Sequence, residues 1–284
     1  MKIESRTHPD VILTDLAFPE SPRWRDGRLW VSDWGAGELV TVDLDGRRDV
    51  IARVPGLMCI DHLPDGRLLI VDSGQRRLLR REPDGALATH AGLAALGEQP
   101  WNDIVVDGRG NAYVNNIGFD FPEAEFAPGS VAIVTPDGSV RRVADGLAFP
   151  NGMAVTPDNR TLIVAESYGQ KLTAFDIAAD GSLSGRRVWA EVDDHPDGIC
   201  LDAEGAVWYG DVGNRRCVRV REGGEILQVI DLDRGCFACV LGGPDRQRLF
   251  MVTNEWAGAE GAGGGRRMGQ VVAVDAPAPG VGWP

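Results

Sequence analysis

Four short motifs carry an oxygen-bearing side chain in matching settings: Glu20 in "FPESP", Asn102 in "PWNDI", Asn151 in "FPNGM" and Asp197 in "HPDGI". Two carboxylates and two carboxamides brought to one point form an all-oxygen donor set suited to a hard divalent cation. Such a cation polarises a carbonyl, and a carboxylate at its edge can take a proton from water, so the chemistry in view is hydrolysis. A competing reading takes each motif alone. Asn151-Gly152 and Asp197-Gly198 are also tight-turn dipeptides, because both members tolerate positive φ. That reading does not cover Glu20 or Asn102, which no glycine follows. Other chemistries find less support. There is no G-x-S-x-G elbow. The C-x-x-C of Cys236 and Cys239 lacks a second ligand pair for zinc, and its apolar neighbours mark both as small core residues.

Whether the four oxygens meet depends on the elements that carry them. "DGRLWVSD" (26–33) recurs as "DGRLLIVD" (65–72), then as "GRGNAYVN" (108–115), "DNRTLIVAE" (158–166), "AEGAVWYGD" (203–211) and "DRQRLFMVT" (245–253). Each is a polar turn followed by an apolar run rich in β-branched and aromatic residues, the composition of a strand. A second echo follows each first one, and further short apolar strands lie before and after. Four short strands in every 40–50 residues, six times over, predict an all-β, six-bladed β-propeller with four-stranded blades. The sixth blade lacks an outer strand, which "DVILTD" (10–15) can supply. Closing the ring this way removes two unpaired edges, so residues 1–284 are expected to form one domain. The glycine-rich 258–269 stretch opens no helix and reads as a surface loop of blade six rather than a phosphate cradle.

In a propeller the first strand of each blade lines the central channel. Aligned by their turns, the six inner strands begin with Glu20, Met58, Asn102, Asn151, Asp197 and Ala238 at equivalent positions, Glu20 fitting to within one residue. Four of the six carry oxygen donors, and all four then converge on one axis. The chain's net charge of −13 disfavours a nucleic-acid partner. It has neither an apolar run of membrane-spanning length nor an apolar leader at its start. The five cysteines, an odd number scattered through apolar segments, fit reduced thiols and a cytoplasmic location.

Together, "FPESPRW", "NDIVVDGRGNAYV", "PNGMAVTPDNRTLIVAES" and "HPDGICLDAEGAVWYGD" resemble the senescence-marker-protein, gluconolactonase and luciferin-regenerating-enzyme family over about residues 10 to 275. The resemblance implies a six-bladed propeller with one catalytic divalent metal in its channel and a lactone-hydrolase activity. It implies metal ligation by Glu20, Asn151 and Asp197, with Asn102 as a fourth ligand or a substrate contact. Asp197 would also be the catalytic base or nucleophile. Ca²⁺ is the first expectation for the metal, with Mg²⁺, Mn²⁺, Zn²⁺ and Fe²⁺ as alternatives.

The pattern departs from the family at one informative place. Sugar-lactone hydrolases of this kind carry an arginine two positions before the blade-three Asn, where this chain has Pro100, followed by Trp101. Trp101, Asp120 further along that blade and His195 before Asp197 are the candidate substrate contacts. Trp34, Phe119, Phe121 and Phe149 also fall near predicted mouth loops, either as ordinary packing or as apolar walls. With a guanidinium absent and aromatic surface available, less hydroxylated lactones or esters are expected over glucono-δ-lactone. His62 falls at the far end of an inner strand and reads as structural, while His8 and His90 carry no signal. Two other readings stand beside the lactonase: a phosphotriesterase or lyase at the same site, and a non-catalytic propeller that binds a partner across its face.

Overall fold

The computed structural model describes residues 9–256, 258 and 266–283. Six antiparallel sheets form the blades of a β-propeller; four run in chain order from the channel outward, while blade five and blade six each also carry a strand from a chain end. The inner strands are Pro19–Arg25, Leu57–His62, Trp101–Val106, Pro150–Val155, Pro196–Asp202 and Gly235–Gly242. Among the described residues the only helical element is one 3-10 turn, Ala94–Leu96, and no helix is long and apolar enough to cross a membrane.

Why each echo folds as it does is visible in its turn. In blades two to six an Asp in the tight turn accepts backbone N–H groups from the residues that reverse the chain, as where Asp107 Oδ1 bonds Arg109 N at 2.9 Å and Asn111 N at 2.8 Å. Such Asx turns fix the hairpin register without a partner from elsewhere. The apolar runs that follow alternate across the sheet, so each blade offers one face to each neighbour. Six buried clusters result, one at each blade interface, and they make up the core.

The ring closes as its missing outer strand requires. Asp10–Leu16 pairs antiparallel with Gly269–Asp275, from Asp10↔Ala273 to Leu16↔Gly269. Arg248 reinforces the seam by bridging Asp10 and Asp275. The C-terminal tail takes a path the repeats do not foretell. Gly280–Val281 adds a fifth strand to blade five through Leu201↔Val281, and Trp283 exchanges backbone hydrogen bonds with Val155 of blade four. The tail thus lies across the ends of two inner strands, opposite the mouth. The glycine-rich 258–269 stretch falls mostly outside the described residues, as does His8.

Candidate active site

The mouth is built by one device used six times. The residue opening the ladder pairs with the end of the second strand, as in Pro19↔Asp33, Pro150↔Glu166 and Pro196↔Asp211. The next residues bulge out of the ladder, and pairing resumes as in Met153↔Val164 and Ile199↔Tyr209. A bulge re-aims a side chain, here the residue just after the opening pair. Met58, Asn102, Asn151 and Asp197 hold that position; Glu20 also follows its opening pair but stays in the ladder opposite Ser32, with pairing resuming at Arg23, so it fits to within one residue. Blade six corrects the expectation: a Cβ on Gly198 would meet Ala238 Cβ and Phe237 O much as one on Gly152 meets Gly198 Cα and Asp197 O, so Phe237, not Ala238, is the counterpart of Asp197, and this blade brings no oxygen donor.

The glycines after Asn151 and Asp197 serve close approach rather than a turn. Both lie within strands. A Cβ on Gly152 would sit 2.4 Å from Asp197 O, and one on Gly198 would sit 2.2 Å from Ala238 Cβ. Adjacent inner strands can come this near only without a side chain there.

Polar side chains then fix the ligand positions. Asn102 Nδ2 donates to Asn151 Oδ1 at 3.2 Å, and Asn151 Nδ2 donates to Ser167 Oγ at 3.3 Å. Ser167 Oγ donates in turn to Pro196 O at 2.8 Å, one residue before Asp197. Asn115 Nδ2 holds Asn151 O at 2.6 Å, and Asn115 Oδ1 accepts Asp103 N at 3.1 Å. Both amide nitrogens of Asn151 and Asn102 are therefore engaged, which leaves oxygen as the side-chain atom free to bind. Asn151 Oδ1 keeps a second lone pair, and Asn102 Oδ1 is uncommitted.

The two carboxylates are electrostatically unsettled. Burial raises the Glu20 pKa to about 8, with Asp103 adding repulsion against the opposing pull of Ser21 N–H and Arg23. Burial likewise holds Asp197 well above the usual carboxylate range, with Glu20 and Asp103 as the repelling neighbours. Asp197 Oδ1 is buried and has no hydrogen-bond partner. Facing carboxylates in an enclosed site must bind protons or a cation. Among the described residues no three His, Cys, Asp or Glu side chains form a metal cluster, so a cation here would need the neutral amide oxygens as well. The donor set and the orphaned oxygen fit a hard divalent ion held by Glu20, Asn151 and Asp197, with Asn102 beside them.

Below this site lies a buried cation of the protein's own. Arg23 Nε stands 3.2 Å from Asp61 Oδ1 and Nη2 stands 3.8 Å from Asp103 Oδ1. Arg23 Nη2 also donates to Ile104 O at 2.7 Å. The two aspartates pass the tie onward, Asp61 accepting Val106 N and Asp103 accepting Met153 N. Blades one to four are thereby linked around the channel. Nothing in the "SPRW" pattern distinguishes this arginine from a surface one, and Asn115 and Ser167 are equally silent until the second strands are laid beside the first.

Trp101 corrects the sequence expectation. It is 0% exposed and packs with Cys59, Leu69 and Val71 in the core between blades two and three, so it offers no surface to a substrate. Consecutive strand residues face opposite ways, and the one that aims Asn102 at the channel turns Trp101 from it. Asp120 and His195 are exposed near the mouth, and neither side chain hydrogen-bonds any of the four. His62 is buried edge-on to Trp30, its pKa lowered to about 3 by burial, in keeping with a structural role. All five cysteines are free and buried, with Cys200 and Cys239 Sγ atoms 3.9 Å apart.

Aromatic residues gather on two sides of the mouth. Phe18 packs against Trp34 at 4.5 Å and Phe237 at 4.7 Å between ring centroids. Across from them, Phe119, Phe121, Phe126, Phe149 and Tyr168 form a second cluster. Phe18, Phe126 and Tyr168 are not singled out in the sequence; the repeated "FP" before Glu20 and before Asn151 is the signal that could have flagged both sides.

A six-bladed propeller with oxygen donors at the head of its channel defines a recognisable class. The SMP-30/gluconolactonase/LRE-like family model matches residues 18–255, and the chain belongs to that family. It is 30% identical to regucalcin of Xenopus laevis over 162 residues, 54% of each chain, so the match spans about half the length of that relative. It is 26% identical to pentonolactonase XacC of Haloferax volcanii over 264 residues, covering 89% of this chain and 86% of that one. The solved structure of a gluconolactonase from Xanthomonas campestris superposes with a TM-score of 0.78 at 26% identity, covering 94% and 89% of the two chains.

Proposed function

We propose that the chain is a hydrolase of lactones or related carboxylic esters that works with one divalent cation at the head of the channel. The observation that carries this reading is the convergence of Glu20, Asn102, Asn151 and Asp197 on one ladder position, Glu20 to within one residue, with Asp197 Oδ1 buried and unpartnered. Membership of a family that includes a pentonolactonase supports the hydrolytic reading.

Glu20, Asn151 and Asp197 would hold the ion, and Ca²⁺ suits their hard oxygens best. Bound there, a divalent cation supplies Lewis acidity to a substrate carbonyl and charge stabilisation for the oxyanion that follows. Asp197 is the base: whichever of its carboxylate oxygens the ion does not engage would accept a proton from the attacking water. Asn102 fixes Asn151 through its Nδ2 and leaves its own Oδ1 for the ion or for a substrate hydroxyl. Ser167 accepts the side-chain amide of Asn151 and Asn115 donates to its backbone carbonyl, which together hold that residue in place.

The test is a panel of lactones, aryl esters and phosphotriesters assayed on chelated protein reloaded with Ca²⁺, Mg²⁺, Mn²⁺ or Zn²⁺. Lactone turnover that appears only with metal is the expected result. Turnover confined to phosphotriesters would move the substrate class at the same site, and no turnover with any ion would favour a binding role.

A further inference from the structure

Phe149 stands two residues before Asn151 and holds φ +57, a left-handed conformation that a bulky side chain rarely adopts. Strain of this kind persists where the surroundings fix it, and it concentrates at ligand sites. Here the backbone is fixed from both sides, for Phe149 O accepts Ser167 N at 3.0 Å and Ala148 O accepts Tyr168 N at 3.1 Å. The same Ser167 receives the side-chain amide of Asn151. Phe149 and Tyr168 are therefore continuous with the oxygen site by covalent and hydrogen-bonded links, and their rings lie 4.9 Å apart.

The wall extends outward from this pair. Phe121 meets Phe149 edge-on at 5.3 Å, and Phe126 reaches Tyr168 at 5.9 Å over the buried Phe119. Phe126 is 52% exposed and Tyr168 47% exposed, so large apolar area faces solvent beside the mouth. Contiguous exposed aromatic surface marks a binding site more often than idle packing. The polar alternative is weak at this rim. None of the residues standing two before the six mouth positions carries a guanidinium, and the neighbouring Arg234 is occupied by Asp233 and Met268 O at 2.6–2.9 Å.

We infer that this blade-three and blade-four wall binds an apolar substituent of the substrate, so that the preferred substrate is an alkyl-substituted lactone rather than a polyhydroxylated one. The inference rests on the hydrolase reading above and names the substrate class of that same site. Each methylene laid against the wall should raise kcat/KM up to about fourfold, the factor for full burial.

Two measurements test it on the full-length, metal-loaded protein. The first is kcat/KM along a series of γ-lactones with tails from methyl to heptyl, with glucono-δ-lactone alongside. The second is calorimetric binding of the matching γ-lactams, whose amide resists turnover, so the wall is read independently of chemistry. Both are repeated on Tyr168→Ala and Phe126→Ala, exposed positions where truncation costs little folding energy. The expected result is a rise with tail length in both series and a flatter rise in both variants. A series flat in tail length, a preference for gluconolactone, or a rise unchanged by both variants would overturn the inference. If no lactone is turned over while lactam affinity still climbs with tail length, the wall stands and the hydrolase reading falls.

Discussion

Glu20 and Asp197 repel each other in an enclosed site, and that repulsion gives the residue scale its tests. Asp197→Asn removes the base and one anionic donor together, so turnover should fall by about 10³-fold or more. Met58→Leu, at the equivalent blade-two position, should leave kcat within about twofold, because no oxygen donor is lost. The stability of the metal-free protein should move the other way. Removing one of two facing carboxylates relieves repulsion, so chelated Asp197→Asn should melt above chelated wild type at pH 8, by on the order of 1 kcal/mol or more. The sign of the pH dependence follows from Glu20. Its pKa rises from 4.5 to about 8 on folding. The folded state then holds the proton more tightly than the unfolded state, and this contribution is complete below pH 4.5 and lost as pH climbs through about 8. Melting temperatures of the chelated protein should decline across that window, and Glu20→Gln should flatten the decline. A melting temperature that climbs from pH 5 to 8 in chelated wild type would contradict the electrostatics described here.

At the scale of the strand, the glycines and bulges decide whether donors on separate blades can meet. Gly152→Ala puts a methyl 2.4 Å from Asp197 O and 2.6 Å from Gly198 Cα, both backbone atoms that cannot swing aside. The inner strands of blades four and five must then separate, at a cost of roughly 1–3 kcal/mol and with Asn151 drawn away from Asp197. Thermal melts and metal affinity measured together should both fall. Much of this scale was legible in the sequence, because each hairpin carries its own turn chemistry and its own alternation. What failed to read was register at a distance. Counting back from its turn, blade six places Ala238 at the mouth. Its hairpin, however, runs on to Gly242↔Arg248, one pair beyond Leu241↔Leu249, the counterpart of the end of blade five at Leu201↔Val207. The bulge hides the shift, since it absorbs residues without changing composition. Trp101 misled for a related reason: neighbours in sequence were both placed at the mouth, although a strand turns them to opposite faces. Arg23 and Ser167 act across blades, and no spacing within one repeat encodes that.

On the scale of the whole ring, the repeats foretold six blades and the strand that closes them, because an incomplete last blade must borrow its edge. The tail behind the channel did not read, since two residues of strand and one bridge leave no periodic trace. We propose that the ring behaves as one domain. Deleting residues 1–16 strips the outer strand from Gly269–Asp275 and leaves an exposed edge. The expected outcome is a cooperative loss of the entire fold, or aggregation, in circular dichroism and size-exclusion profiles. A stable truncated monomer with an unchanged melting curve would show that closure matters little. The most direct test of the central claim is a calorimetric titration of chelated protein with Ca²⁺, with lactone turnover followed in the same samples. The account predicts one ion per chain, turnover that rises in proportion to occupancy, and no saturable binding in Glu20→Gln or Asp197→Asn. Full turnover in the chelated protein, or equal binding by both variants, would contradict it.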